Sequence, residues 1–309
     1  MLTAMRHYLF LRLSETLQVT MSTTRQSSHS SLTNVQKTSD SERDKEGDQG
    51  ECCRIVFISD THSVHQRLGN LPSGDVLIHG GDFTKSRPAK AEEYKDFSDW
   101  LGGLPHPHKI LISGNRDQLM DSSAKVRSPS PDSRTDMTVS IRQHEPSEMF
   151  WLQQMQDYVK GNKSVVYLED EQHLIDISPE FRIKVYGSPW TATHGKPGKS
   201  FQVGRSELRE KWEKIPRDVD ILVTHMPPYG VRDENAGKVK AGCRDLLRLL
   251  SDSLEPRIHV FGHIHESHGW SWGAKTLFIN ASIKASGSHV NSPIVVDYYK
   301  NSRKLEIIQ

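Results

Sequence analysis

Nine short apolar runs, rich in β-branched residues, recur along the chain, most of them followed at once by glycine or polar residues: RIVFIS (54–59), DVLIH (75–79), KILIS (109–113), VVYL (165–168), RIKVY (182–186), DILVT (220–224), RIHVF (257–261), TLFIN (276–280) and PIVVD (293–297). They have strand length, and most are too apolar for a sheet with one wet face, so they predict strands buried on both sides. Helix-permitting stretches lie between several of them: Ala91 to Leu101, Met149 to Val159, Ser206 to Lys214 and Cys243 to Ser251. That pattern predicts an α/β architecture of layered sheets covered by helices. In such folds functional groups sit just past the carboxyl ends of strands.

Composition limits how much of the chain joins this core. Only 35% of the 309 residues are hydrophobic. From Ser22 to Ser41, eleven of twenty residues are Ser or Thr, and Ser41 to Glu51 is charged without a large apolar side chain. Such segments cannot offset their ordering entropy by burial, so residues 1–51 are expected to form a disordered tail before a single domain, 52–309. Residues 119–148, centred on SPSPDSR, read as a flexible insertion within it. Lys and Arg number 40 against 39 Asp and Glu, a net charge of +1. No global field holds DNA or RNA, so phosphate recognition must be local and the partner a small molecule. No apolar run reaches the roughly 18 residues of a spanning helix. Cys52, Cys53 and Cys243 frame neither a disulfide scaffold nor a CxxC zinc knuckle, which points to a reducing, cytoplasmic setting. Arg6 and Arg12, with no acid before Glu15, leave a mitochondrial presequence over residues 1–20 as the alternative.

The residues that follow the strands carry the chemistry. Asp60-Thr61-His62 follows the first run, Gly80-Gly81-Asp82 the second, and Gly114-Asn115-Arg116-Asp117 the third; His225 follows DILVT, and Gly262-His263-Ile264-His265-Glu266 follows RIHVF. Asp60 and His62 are two apart, so in an extended segment they would share a side and chelate one ion; His263 and His265 repeat the spacing. Oxygen and nitrogen donors together suit Mn, Fe, Zn, Co or Ni, and seven ligands exceed what one site uses, so two metals fit the count. Two cations roughly 3.5 to 4 Å apart clamp a phosphate oxygen and activate a bridging water. A carboxylate such as Asp82 can bridge both ions, whereas each imidazole binds one.

This ordered set resembles the calcineurin-like metallophosphoesterases. SDTH, GDVLIHGGDFT, WLGGLP, YGSPW, EKW-x-x-IP, VDILVTH-x-PP-x-G, HVFGHIHE, NAS and PIVVD resemble, more narrowly, their metallophosphoesterase-domain-containing branch, over about Arg54 to Asp297. The resemblance implies a four-layer α/β/β/α sandwich. It also implies one metal on Asp60, His62, Asp82 and His265, a second on Asp82, Asn115, His225 and His263, and Mn²⁺ as the preferred ion. The implied activity is hydrolysis of phosphodiesters, cyclic nucleotides included, by a hydroxide bridging the two metals.

One position departs from the family. Its usual Gly-Asn-His-Asp or Gly-Asn-His-Glu has a His that contacts phosphate and protonates the leaving oxygen, where this chain has Arg116. A guanidinium still binds the phosphoryl group but is no general acid near neutral pH. Slow turnover with retained nucleotide binding is therefore expected, and the competing reading is a metal-dependent nucleotide-binding regulatory or scaffold protein. By the same resemblance Asp117 orients the group before it, and His194, in the loop after YGSPW, contacts substrate. His79 reads as a core histidine, and His65, His106, His108, His259 and His268 as surface or supporting residues. Gly198-Lys199-Ser200 mimics the end of a P-loop, but the glycine required five residues earlier is Thr193.

Overall fold

A computed structural model describes residues 50–87, 90–121, 164–193, 199–285, 289–302 and 304–308. The proposed tail up to residue 49, the helix proposed over Met149 to Val159, His194 and most of the insertion lie outside them. All nine apolar runs are strands. The first sheet is built from β1 (Cys52–Ile58), β2 (Val76–His79), β3 (His108–Leu111) and β4 (Val165–Tyr167) in parallel, with β13 (Ile294–Tyr299) and β14 (Leu305–Ile307) added antiparallel on the β1 side. The second has β6 (Phe181–Ser188), β9 (Ile221–Thr224), β10 (Ile258–Phe261) and β12 (Leu277–Asn280) in parallel, flanked by antiparallel β5 (Glu171–Ser178) and β11 (Gly269–Trp272). A two-stranded ribbon joins β7 (Thr191–Ala192) to β8 (Gln202–Val203).

The period of two along each strand sorts side chains into two cores. Ile55, Phe57, Val76 and Ile78 of the first sheet meet Ile221, Val223, Ile258, Val260, Leu277 and Ile279 of the second, all buried, in the layer between the sheets. The alternate residues face outward under helices. Leu77 and His79 lie beneath α1 (Ala91–Gly103), where the Phe97 ring stands 5.2 Å from that of His79 and stacks on Phe83 at 4.5 Å. Leu222, Phe261 and Phe278 share a core with Trp212 of α2 (Arg205–Glu213) and Leu246, Leu247 and Leu250 of α3 (Arg244–Asp252). The layers are therefore α/β/β/α, as the motifs implied.

One expectation needs correction. Leu119 and Met120 are 5% and 7% exposed and pack in the core within a short turn, so the insertion cannot begin at 119. Of the histidines read as surface or supporting residues, His65, His106 and His259 are buried, and His259 Nε2 meets Thr224 Oγ1 at 2.9 Å. Among the described residues no helix is long and apolar enough to cross a membrane.

Candidate metal centre

The carboxyl ends of β1, β2 and β3 in one sheet and of β9 and β10 in the other open onto the same point, where the sheets are joined by the Ile283 N–H donating to the Ser59 carbonyl at 2.9 Å. The chain cannot continue as strand there. Asp60, His62, Asp82 and His263 all adopt left-handed backbone, with φ of 54°, 41°, 56° and 69°. For residues other than glycine this costs about 1–3 kcal/mol each and persists where the surroundings enforce it. The Asp60 and His62 amides donate to the Gly81 and Asp82 carbonyls at 2.8 and 3.0 Å, which locks the two loops together. The Asp60–His62 pair thus converges through a turn and not through extended backbone.

Donor atoms of Asp60, His62 and His265 form one group, those of Asp60, Asp82 and His225 a second, each lying within 4.8 Å of one another. The two Asp82 oxygens face different partners: Oδ2 is 3.8 Å from His62 Nε2, and Oδ1 is 3.4 Å from His225 Nε2. Asp60 Oδ1 lies 3.3 Å from His265 Nε2 and 3.9 Å from His62 Nε2. His263 and His265 do not act as a pair. His265 joins Asp60 and His62, while the His263 ring stands 5.1 Å from that of His225 and its amide donates to both Asp60 oxygens at 3.0 and 3.1 Å.

Backbone carbonyls set the imidazole tautomers. His62 Nδ1 meets Thr84 O at 3.0 Å and His225 Nδ1 meets Gly80 O at 2.9 Å. A carbonyl only accepts, so each Nδ1 carries the hydrogen in the neutral ring and Nε2 turns a lone pair into the centre. Asn115 Oδ1 is buried without a hydrogen-bond partner among the described residues, and His225 Nε2 has only Asp82 Oδ1, 3.4 Å away. Buried acceptors left unpaired are costly, and a cation is the group that would satisfy them. Space is reserved in the same way: a Cβ on Gly262 would fall 2.1 Å from Asp60 Oδ2, and one on Gly114 would fall 2.3 Å from Asp82 Oδ1. The donor set, the tautomers and the unpaired Asn115 oxygen all fit a divalent cation.

The electrostatics agree. Burial would raise the Asp60 carboxyl, but its bond to His265 and the charges of His265, His225 and His62 hold it well below the ordinary carboxylate range. Asp82 is held low likewise, burial being outweighed by His225 and His62. His225, which burial alone would depress, is pushed up to about 9 by Asp82 and Asp60, whereas burial takes His263 down to about 3. Anionic oxygens and a histidine charged for want of another cation are what a metal would find.

Asp117 departs from the expected role. Its Oδ2 accepts the amides of Asp82 at 2.9 Å and Gly114 at 2.8 Å, and its Oδ1 accepts the amide and hydroxyl of Thr84 at 3.0 and 2.8 Å. It therefore orders the loops that carry Asp82 and Asn115, and no described bond joins it to the Arg116 guanidinium. Arg116 is placed by its own backbone, its N–H donating to Asp82 Oδ1 at 2.7 Å and its C=O accepting from Thr84 Oγ1 at 3.1 Å. Thr84 was overlooked in the sequence although GGDFT contains it: it fixes both His62 and Asp117. His79 is the core histidine expected, with Thr61 Oγ1 at 3.0 Å and the Gly81 amide donating to its Nδ1 at 3.2 Å.

Comparison with known proteins gives the same reading. Residues 53–267 match the family model described as calcineurin-like phosphoesterase. The chain is 37% identical over 246 residues to human metallophosphoesterase domain-containing protein 1, covering 79% of this chain and 70% of that one. It is 36% identical over 237 residues to a UPF0046 protein of Caenorhabditis elegans, covering 74% and 75% of the two chains. A solved structure at 13% identity superposes with a TM-score of 0.56 over 84% of this chain and 99% of its own, which supports the fold alone. A family model over most of the chain, together with a metal-type donor cluster at the matching strand ends, places the chain in the calcineurin-like phosphoesterase family, in its metallophosphoesterase-domain-containing branch.

Proposed function

We propose that the chain hydrolyses phosphodiesters, cyclic nucleotides included, at two divalent cations, manganese preferred, held by Asp60, His62, Asp82, Asn115, His225, His263 and His265. The observation that carries the reading is the convergence of two carboxylates and three imidazoles, contributed by both sheets, in groups no wider than 4.8 Å. Bound there, divalent cations would polarise the phosphoryl oxygens and lower the pKa of a water. The rest falls to the chain. Thr84 O and Gly80 O keep the Nε2 lone pairs of His62 and His225 inward, and Asp117 holds the loops of Asp82 and Asn115 in register. Half-buried Arg116 offers its guanidinium to the phosphoryl group, and because a guanidinium is no general acid the leaving oxygen gains no proton from it and turnover is slow. With a net charge of +1 the chain takes a small phosphoester rather than a polyanion.

The test is turnover of bis(4-nitrophenyl) phosphate and 2′,3′-cyclic AMP by the Mn²⁺-loaded protein. Hydrolysis that disappears in Asp82→Asn supports the proposal. Arg116 favours a second reading, a nucleotide-binding regulatory protein, and nucleotide protection in a melting experiment without any turnover would select it.

A further inference from the structure

The carbonyl of Asn115 is approached from two other loops. The Ser200 amide donates to it at 3.2 Å and an Arg87 Nη at 3.4 Å. Arg87 lies between β2 and α1, and Lys199, next to Ser200, lies between β7 and β8. Both are thereby drawn to the loop that carries Arg116, which is itself bonded through its amide to Asp82. Three basic residues from three separate loops thus converge on the segment that carries Asn115. Their charges reach one another: the Arg87 guanidinium is lowered by burial and then by Arg116, and the Lys199 ammonium by burial, then by Arg87 and Arg116.

Gathering like charges is unfavourable unless an anion shares the space. The acid whose charge reaches both Arg87 and Lys199 is Asp82, and its oxygens already face His62 and His225. Among the described residues Lys199 has no ion-pair partner. A divalent cation on Asp82 would remove even that counter-charge. Arg87 is exposed and Lys199 half-buried, so both can be reached from outside. One phosphoryl group would occupy Arg116 and the metals, leaving two cations over.

We propose that Arg87 and Lys199, beside Arg116, recognise a second phosphate, so that the preferred substrate is a phosphoester carrying another phosphate close to the one attacked. This rests on the phosphoesterase reading given above, and the two can be separated. Thymidine 5′-(4-nitrophenyl phosphate) and its 3′-phosphorylated form differ only in the extra group. With the full-length Mn²⁺-loaded protein, KM should be about ten-fold or more lower for the phosphorylated form, the size of one charge-assisted contact. That ratio should collapse toward one in Arg87→Ala and Lys199→Ala, and Arg87→Lys should recover part of it. A ratio near one in the wild type overturns the proposal, as does a preference that survives both substitutions. A second readout is calorimetric binding of adenosine 3′,5′-bisphosphate against adenosine 5′-monophosphate. If neither chromogenic substrate turns over but the bisphosphate binds more tightly and Arg87→Ala removes the difference, hydrolysis fails and the second-phosphate site stands. If hydrolysis proceeds and neither readout favours the extra phosphate, the site falls and the enzyme stands.

Discussion

The amide of Asp82 donates to the Asp117 carboxylate at 2.9 Å, and the same oxygen takes the amide of Gly114 at 2.8 Å, so one buried side chain sets the spacing of two site loops. Four donors converge on it, Thr84 supplying the other two through its amide and hydroxyl. An asparagine there would turn its NH₂ toward an N–H. Asp117→Asn should therefore cost about 2 kcal/mol or more of stability. The measurement is the urea midpoint of metal-free protein, and an unchanged midpoint would remove Asp117 from this ordering role.

Above the ordinary histidine range the stability of the metal-free protein should fall as pH rises, because the buried histidines held low, such as His79, His259 and His263, are by then neutral in both states. His225 is raised from 6.5 to about 9, because Asp82 and Asp60 outweigh the burial that lowers it. A raised histidine stabilises the fold below its unfolded value and loses that contribution as pH climbs through its folded one. Asp117, raised to about 7 by burial and by the charge of Asp82, acts in the same direction at lower pH, since the folded state binds its proton more tightly. Melting should thus be weaker at pH 9.5 than at pH 7.5, by up to about 2 kcal/mol from His225. His225→Asn should flatten the slope, and a slope that is unchanged would show the charge to reside elsewhere.

Asp82 faces both imidazole groups, with one oxygen toward each. Asp82→Asn keeps the shape and an oxygen for the Arg116 amide while removing the charge. Metal analysis should show reduced occupancy, and turnover of bis(4-nitrophenyl) phosphate should fall by about 100-fold or more, as for loss of a principal electrostatic group. Near-normal occupancy with near-normal turnover would place the metal on other residues.

Arg116 is half-buried next to Asp82, at the position where the family's usual motif has a proton donor. General-acid help is worth about 10² to 10⁴ in rate, most with poor leaving groups. Arg116→His should accordingly raise turnover of a poor-leaving-group diester over wild type and change a nitrophenyl ester less. No gain on the poor leaving group would dispose of the explanation for slow chemistry.

A methyl group at position 262 would meet Asp60 Oδ2 and Ser59 Oγ, both at 2.1 Å. Gly262→Ala should destabilise the protein by about 1–3 kcal/mol, the usual cost of overpacking, and weaken metal binding more than Gly103→Ala, where the added carbon meets nothing. Equal thermal shifts for the two variants would count against the close approach.

Strands that are buried on both faces announce themselves. Ile221–Thr224 and Ile258–Phe261 are wholly buried and read as mainly apolar, β-branched runs, so the residues after them could be picked out as candidate ligands. β5, β11 and β14 lie at the sheet edges, with exposed or half-buried positions along them, and their polar residues carry no such run. The spacing of Asp60 and His62, and of His263 and His265, suggests two same-sided pairs, but left-handed backbone at Asp60, His62 and His263 breaks the two-residue alternation that an extended segment would show. Arg87 and Lys199 could not be placed from sequence, because only hydrogen bonds to the Asn115 carbonyl bring their loops beside Arg116.

The donors are divided between the sheets, with Asp60, His62 and Asp82 on one and His225 and His265 on the other. An ion held between them is a removable cross-link whose two anchors, Asp60 and His265, stand at opposite ends of most of the domain's chain. Its effect is that of a long-loop staple: it tightens the whole sandwich against unfolding, and chelation should loosen the seam between the sheets before either outer helical layer.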